Sequence, residues 1–107
     1  MISTHVLDTS LGHPASGITV KLQKKTGDQW KDVTSGVTSS DGRISFDAEK
    51  SAGLYRLVFE VEGYFKKTSK DFFYTDIPVA FRIEDVQRKY HVPLLLNPFG
   101  YSTYRGS

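Results

Sequence analysis

Apolar and polar positions alternate along much of this 107-residue chain. Ile18, Val20 and Leu22 interleave with Thr19, Lys21 and Gln23, and Tyr55, Leu57, Phe59 and Val61 with Arg56, Val58, Glu60 and Glu62. A period of two places successive side chains on opposite faces of a β-strand, and the β-branched and aromatic residues in these runs suit a pleated, half-buried surface. Turn-forming clusters interrupt the pattern about every ten residues: Gly12-His13-Pro14, Thr26-Gly27-Asp28, Ser39-Ser40-Asp41-Gly42, Ala52-Gly53 and Asn97-Pro98. The spacing predicts eight short strands, at about residues 2–8, 17–25, 28–35, 42–47, 53–62, 77–85, 88–96 and 100–105. One short helix, about a turn long, is predicted near 64–68, where Tyr64-Phe65-Lys66-Lys67-Thr68 leaves the alternation after Gly63.

Strands with one apolar face need a second layer to bury it. The fold class is therefore all-β, two packed antiparallel sheets in a single domain over residues 1–107. The segment Val92-Pro93-Leu94-Leu95-Leu96 is apolar on both faces, and another aromatic strand follows it. Such a surface marks an interface, so the chain is expected to oligomerise through its last two strands. The closing residues, Tyr104-Arg105-Gly106-Ser107, would then lie at or near a subunit boundary.

Composition narrows the function mainly by exclusion. The 14 basic and 12 acidic residues leave a net charge of +2 and are spread along the whole length. Lys24-Lys25 and Lys66-Lys67 read as solvated strand ends and turns, and no basic stripe or recognisable module accompanies them, so no nucleic-acid partner is expected. No apolar run approaches the roughly 20 residues that span a bilayer, so no membrane partner is expected either. The absence of cysteine removes thiol nucleophiles, disulfides and thiolate metal sites. Residues 1–8 carry neither a basic segment nor a long apolar region, which favours a cytoplasmic location, or a periplasmic or peroxisomal one if a leader has been removed.

Three histidines could carry chemistry. His13 lies in a Gly-His-Pro turn where any polar residue would serve, whereas His5 and His91 lie in predicted strands. A strand histidine is commonly a half-buried, hydrogen-bonded structural residue. Two of them could also orient and deprotonate a water molecule, because an imidazole titrates near neutral pH. With no HExxH spacing and no His-x-His pair, a metal site and a cofactor are not expected. Arg43, after Asp41-Gly42, is either a solvated residue beyond a turn or a planar cation able to clamp oxygens with two parallel hydrogen bonds. Arg105 presents the same alternatives, and Ser107 adds a hydroxyl and the last carboxylate of the chain. No Gly-x-Ser-x-Gly elbow supports a serine nucleophile. These residues alone name no substrate.

Several segments together resemble one family. Ser3-Thr4-His5-Val6-Leu7-Asp8, Asp41-Gly42-Arg43, Leu54-Tyr55-Arg56, Tyr90-His91-Val92-Pro93-Leu94-Leu95-Leu96 and Pro98-Phe99-Gly100-Tyr101-Ser102-Thr103-Tyr104-Arg105-Gly106-Ser107 are similar to the transthyretin-related 5-hydroxyisourate hydrolases, with Tyr-Arg-Gly-Ser as the most specific element. The resemblance spans essentially the whole chain. It implies a transthyretin-like sandwich of eight strands and one short helix, assembled as a homotetramer, a dimer of dimers, with active sites in the channel between dimers. It also implies a cofactor-free hydrolysis of 5-hydroxyisourate to 2-oxo-4-hydroxy-4-carboxy-5-ureidoimidazoline in urate degradation. The matching site positions are His5, Arg43, His91 and Ser107, with Tyr104 and Arg105 also binding substrate. His5 and His91 would hold and deprotonate the water while Arg43 binds substrate oxygens. Lys89 stands where many relatives carry a further histidine. The competing expectations are a transthyretin-like carrier of a small apolar ligand in the same channel, and a purely structural sandwich. A polar, blocked channel favours the hydrolase over the carrier, and a structural sandwich would leave His5, Arg43, His91 and the tail as unrelated coincidences.

Overall fold

The structure, a computed structural model, describes residues 1–47 and 51–107. Strand β1 (Ile2–Asp8) shows how the alternation is used: Ile2, Thr4, Val6 and Asp8 are buried, while Ser3, His5 and Leu7 are half-buried on the outer face. The two-residue β2 (His13–Pro14) pairs with the end of β1. Then follow β3 (Thr19–Thr26), β4 (Gln29–Val37), β5 (Arg43–Phe46), β6 (Gly53–Glu60), helix α1 (Glu62–Thr68), β7 (Asp76–Ile83), β8 (Tyr90–Asn97) and β9 (Gly100–Thr103).

These strands form two facing sheets. One runs β2-β1-β8-β9 with β5 also paired to β1, and the other runs β4-β3-β6-β7. Between them lies one core, to which β1 contributes Ile2 and Val6, β3 Val20 and Leu22, β6 Leu57 and Phe59, and β8 Leu94 and Leu96. Each fully buried side chain of this size contributes about 1.5–3 kcal/mol of hydrophobic stabilisation before the entropy of ordering the chain is counted. Polar groups on the inner face are satisfied: Thr4 Oγ1 donates to the Val92 carbonyl at 2.6 Å. Asp8 accepts from Ser10 and Leu11 at the turn and from the Tyr64 hydroxyl at 2.6 Å, which ties α1 to β1. Burial pushes the Asp8 carboxyl up, but the Ser10 and Tyr64 hydroxyls and the Leu11 and Ser10 backbone N–H groups hold it below its ordinary value. No helix among the described residues is long and apolar enough to cross a membrane.

The all-β sandwich and its lone helix are as expected, with four refinements. His13 and Pro14, read as turn, add a short edge strand, the place in a sheet where proline is tolerated. β1 and β8 run parallel, in register from Ile2↔Tyr90 to Asp8↔Leu96, within an otherwise antiparallel pair of sheets. The helix begins at Glu62 rather than Tyr64, with the acidic Glu62 in its first turn and Lys66 and Lys67 in its last, each stabilised by the helix dipole. Finally, the apolar run of β8 is used largely within the chain: Val92, Pro93, Leu94 and Leu96 are buried and only Leu95 is half-buried.

One glycine fixes where β5 meets β1. Gly42 has φ +72°, and a Cβ there would lie 2.5 Å from the Val6 carbonyl oxygen, whose own N–H donates to the Gly42 carbonyl at 2.8 Å. Gly27 also has a positive φ, +62°, but a Cβ on it would meet nothing within 4 Å. Gly27→Ala is therefore predicted to cost about 1 kcal/mol of stability from the backbone conformation alone, and Gly42→Ala about 3 kcal/mol or more, because a backbone clash is added. Paired urea denaturation curves check this; equal losses would mean that the contact with Val6 does not constrain β5.

Candidate active site

The outer face of the β5-β1-β8 sheet gathers most of the residues read from the sequence. In the antiparallel β1-β5 pair His5 lies directly opposite Arg43, and Ser3 opposite Ser45. Directly opposed residues share a face, with Cβ atoms about 4.5–5.5 Å apart. In the parallel β1-β8 pair Ser3 lies beside His91. Sequence separation is large, but sheet register makes these residues neighbours.

His91 is held on three sides. Its Nδ1 and Ser3 Oγ are hydrogen-bonded at 2.8 Å. Its carbonyl accepts from the Gly106 N–H at 2.9 Å, so the tail folds back along β8 as an isolated bridge. The tail also passes close over the ring: a Cβ on Gly106 would lie 2.5 Å from His91 Cδ2 and 3.2 Å from Pro93 Cγ. Only glycine permits that approach without displacing something. Ser3 therefore stands at the Nδ1 edge of the ring and Gly106 at the Cδ2 edge.

Beside it opens a cleft of about 310 Å³ whose walls include Ser3, Arg43, Ser45, Lys89, His91 and Ser107. His5 is not part of that wall but stands on the same face opposite Arg43. His13 is exposed at the far end of β1, with Nδ1 3.0 Å from the Pro14 carbonyl oxygen. Tyr104 and Arg105 are not brought together with Arg43 within the chain. They line a second cleft of about 240 Å³ with Phe81, Tyr90, Val92 and His91, which borders both clefts, and the Arg105 guanidinium sits 5.4 Å from the centre of the Tyr90 ring.

Electrostatics set His91 apart. Burial, then the Arg43 cation, then His5 lower its pKa, and hydrogen bonding at Ser3 only partly opposes them. The imidazole therefore stays neutral to a lower pH than a free histidine, in the form that can accept a proton. Arg43 across the cleft supplies planar N–H donors for oxygens on a bound molecule. Ser3 and Ser45 were not singled out from the sequence. The alternation that puts His5 outward also puts Ser3 outward, and this was the available signal for Ser3.

An imidazole held toward its neutral form and an arginine thus line one cleft on the outer face of the β5-β1-β8 sheet. The chain matches the HIUase/Transthyretin family over residues 2–106 and belongs to that family. It is 44% identical to the 5-hydroxyisourate hydrolase of Salmonella typhimurium over 110 residues, covering 100% of this chain and 81% of that protein. The solved 5-hydroxyisourate hydrolase of Klebsiella pneumoniae superposes with a TM-score of 0.85 at 36% identity, covering 99% of this chain and 92% of that one. Sea bream transthyretin, solved with thyroxine, superposes with a TM-score of 0.90 at 30% identity, covering 98% and 93%.

Proposed function

We propose that this chain hydrolyses 5-hydroxyisourate to 2-oxo-4-hydroxy-4-carboxy-5-ureidoimidazoline, without a cofactor, as a single domain that works in the cytoplasm as a homotetramer, a dimer of dimers. The observation that carries this reading is His91, hydrogen-bonded to Ser3 and capped by the tail, facing the same cleft as Arg43 and Ser107. Two relatives that span nearly the whole chain are 5-hydroxyisourate hydrolases, which supports it.

In the proposed reaction His91 Nε2 takes a proton from water, and the resulting hydroxide attacks the ring carbonyl carbon. Negative charge passes to the carbonyl oxygen, where Arg43 stabilises it with charge-assisted hydrogen bonds. The tetrahedral intermediate collapses by breaking the carbon–nitrogen bond, and the leaving nitrogen takes the proton back from His91. His5, opposite Arg43, shares in holding the water, and Ser107 closes the cleft beside His91 and positions the substrate. Arg105, over Tyr90, and Tyr104 fix the path of the tail from its other side and complete substrate binding where subunits meet.

The carrier reading has one observation in its favour, the TM-score of 0.90 to a thyroxine-bound transthyretin. That score reports backbone, and function resides in the side chains of the site. Arg43, Lys89 and His91 suit an oxygen-rich heterocycle rather than an apolar aromatic ligand.

Carbon-13 NMR tests the reaction: conversion of 5-hydroxyisourate to the ring-opened carboxylate should be complete well before spontaneous decay. A different product, or an unchanged time course, contradicts the reading. The pH profile tests the base. Activity needs neutral His91, so kcat/KM should fall as pH drops through its pKa, with a midpoint below the ordinary value of about 6.5. Arg43→Gln removes one cause of the lowering and should move that midpoint upward; a midpoint above 6.5 in the unmodified protein would contradict the lowering at His91.

A further inference from the structure

Ser3, in the wall of the cleft, has no part in the reaction just described. Ser3 reaches one ring nitrogen of His91, with Oγ 2.8 Å from Nδ1 across 88 residues of sequence. The contact follows from register: β1 and β8 run parallel with Ser3 beside His91, and both side chains lie on the outer face.

Which nitrogen of a neutral imidazole carries the proton is set by what the other nitrogen meets. A free base needs a bare Nε2, and hence a proton on Nδ1 with an acceptor in front of it. Ser3 Oγ, a hydroxyl able to accept, stands within hydrogen-bond distance of Nδ1, and Gly106 passes close to Cδ2 on the other edge of the ring. A serine differs from the carboxylate often found behind a catalytic histidine. As an acceptor it favours the Nδ1–H tautomer without adding a negative charge that would hold the ring protonated. Next to Arg43, Lys89 and His5, the cationic form gains no ionic partner from Ser3.

We propose that Ser3 is the positioning residue of this site, holding His91 as the Nδ1–H tautomer and aiming its bare Nε2 into the cleft. This rests on the hydrolase reading for its consequence on rate, but not for its consequence on tautomer. Once Nε2 has taken the water proton, Nδ1–H remains donated to Ser3 Oγ, so the ring keeps its place while it returns the proton to the leaving nitrogen.

Two measurements test the proposal separately. Nitrogen-15 NMR of the histidine side chains, with His91 assigned by comparison with His91→Asn, reports the tautomer whether or not the protein turns over substrate. The neutral His91 ring should show Nδ1 protonated and Nε2 bare, and Ser3→Ala should shift it toward the Nε2–H form. An Nε2–H tautomer in the unmodified protein, or no change in Ser3→Ala, overturns the proposal. In the hydrolysis assay Ser3→Ala should lower kcat about tenfold to a hundredfold with KM changed less than about threefold, because a misplaced base loses rate steeply. Ser3→Thr and Ser3→Val add the same bulk but only Thr keeps the hydroxyl, so Thr should restore most of kcat and Val should not. Equal activity of the two overturns the role of the hydroxyl. A protein that leaves 5-hydroxyisourate to decay at its spontaneous rate refutes the hydrolase reading instead, and the tautomer measurement still decides the role of Ser3.

Discussion

Replacing His91 with asparagine is expected to lower kcat/KM for 5-hydroxyisourate about 10³-fold, within the range attributed to a general base. Asparagine can keep one hydrogen bond near Ser3 and fits the same half-buried place on β8, so thermal stability should change little. It cannot accept a proton. His5→Asn should cost less, because His5 lies outside the wall of the cleft that Arg43 and His91 share. If both substitutions cost the same, the two imidazoles act as one unit; if His5 costs more, the base has been assigned to the wrong ring. Steady-state kinetics alongside a melting curve for each variant distinguishes these outcomes.

The second large effect belongs to the tail. Gly106→Ala places a methyl 2.5 Å from His91 Cδ2 and 3.2 Å from both His91 Cγ and Pro93 Cγ. Something has to move. Lifting the tail breaks the 2.9 Å bond from the Gly106 N–H to the His91 carbonyl and carries Ser107 away from the cleft, while turning the ring breaks its contact with Ser3. A misplacement of about 1 Å can cost a hundredfold in rate, so kcat should fall about 10²-fold. The tail lies outside the core, so the midpoint of thermal unfolding should stay within a few degrees of the unmodified protein. A Gly106→Ala protein with full activity would show that neither the tail nor the ring orientation matters to the reaction.

Local pattern made much of this structure legible. The alternation across Tyr55, Leu57 and Phe59 named a strand and its buried face together, and all three are buried. What the pattern withheld was pairing. Nothing in residues 2–8 or 90–97 says that these strands lie side by side and parallel, because a period of two sets a face and leaves the neighbour open. The contact between Ser3 and His91 was hidden for that reason, although both residues stood in segments already noticed. Gly63 concealed the first turn of α1, since its helix propensity is low and the start is set instead by the Val61–Phe65 hydrogen bond and the burial of Phe65. The cluster Tyr104-Arg105-Gly106-Ser107 read as one element, yet its members face different ways: Tyr104 and Arg105 line one cleft and Ser107 another, with Gly106 between them against His91. Sequence adjacency does not imply a shared site: the chain passes from one cleft to the other at Gly106, whose N–H pairs with the His91 carbonyl.

The central claim is that this cleft turns over 5-hydroxyisourate with His91 as its base. The most direct measurement follows the ultraviolet absorbance of freshly generated 5-hydroxyisourate with no protein, with the unmodified protein, and with His91→Asn. The account predicts rapid loss of the signal with the unmodified protein and near-spontaneous decay with the variant. Spontaneous decay in all three samples, or equally rapid loss with both proteins, would contradict it.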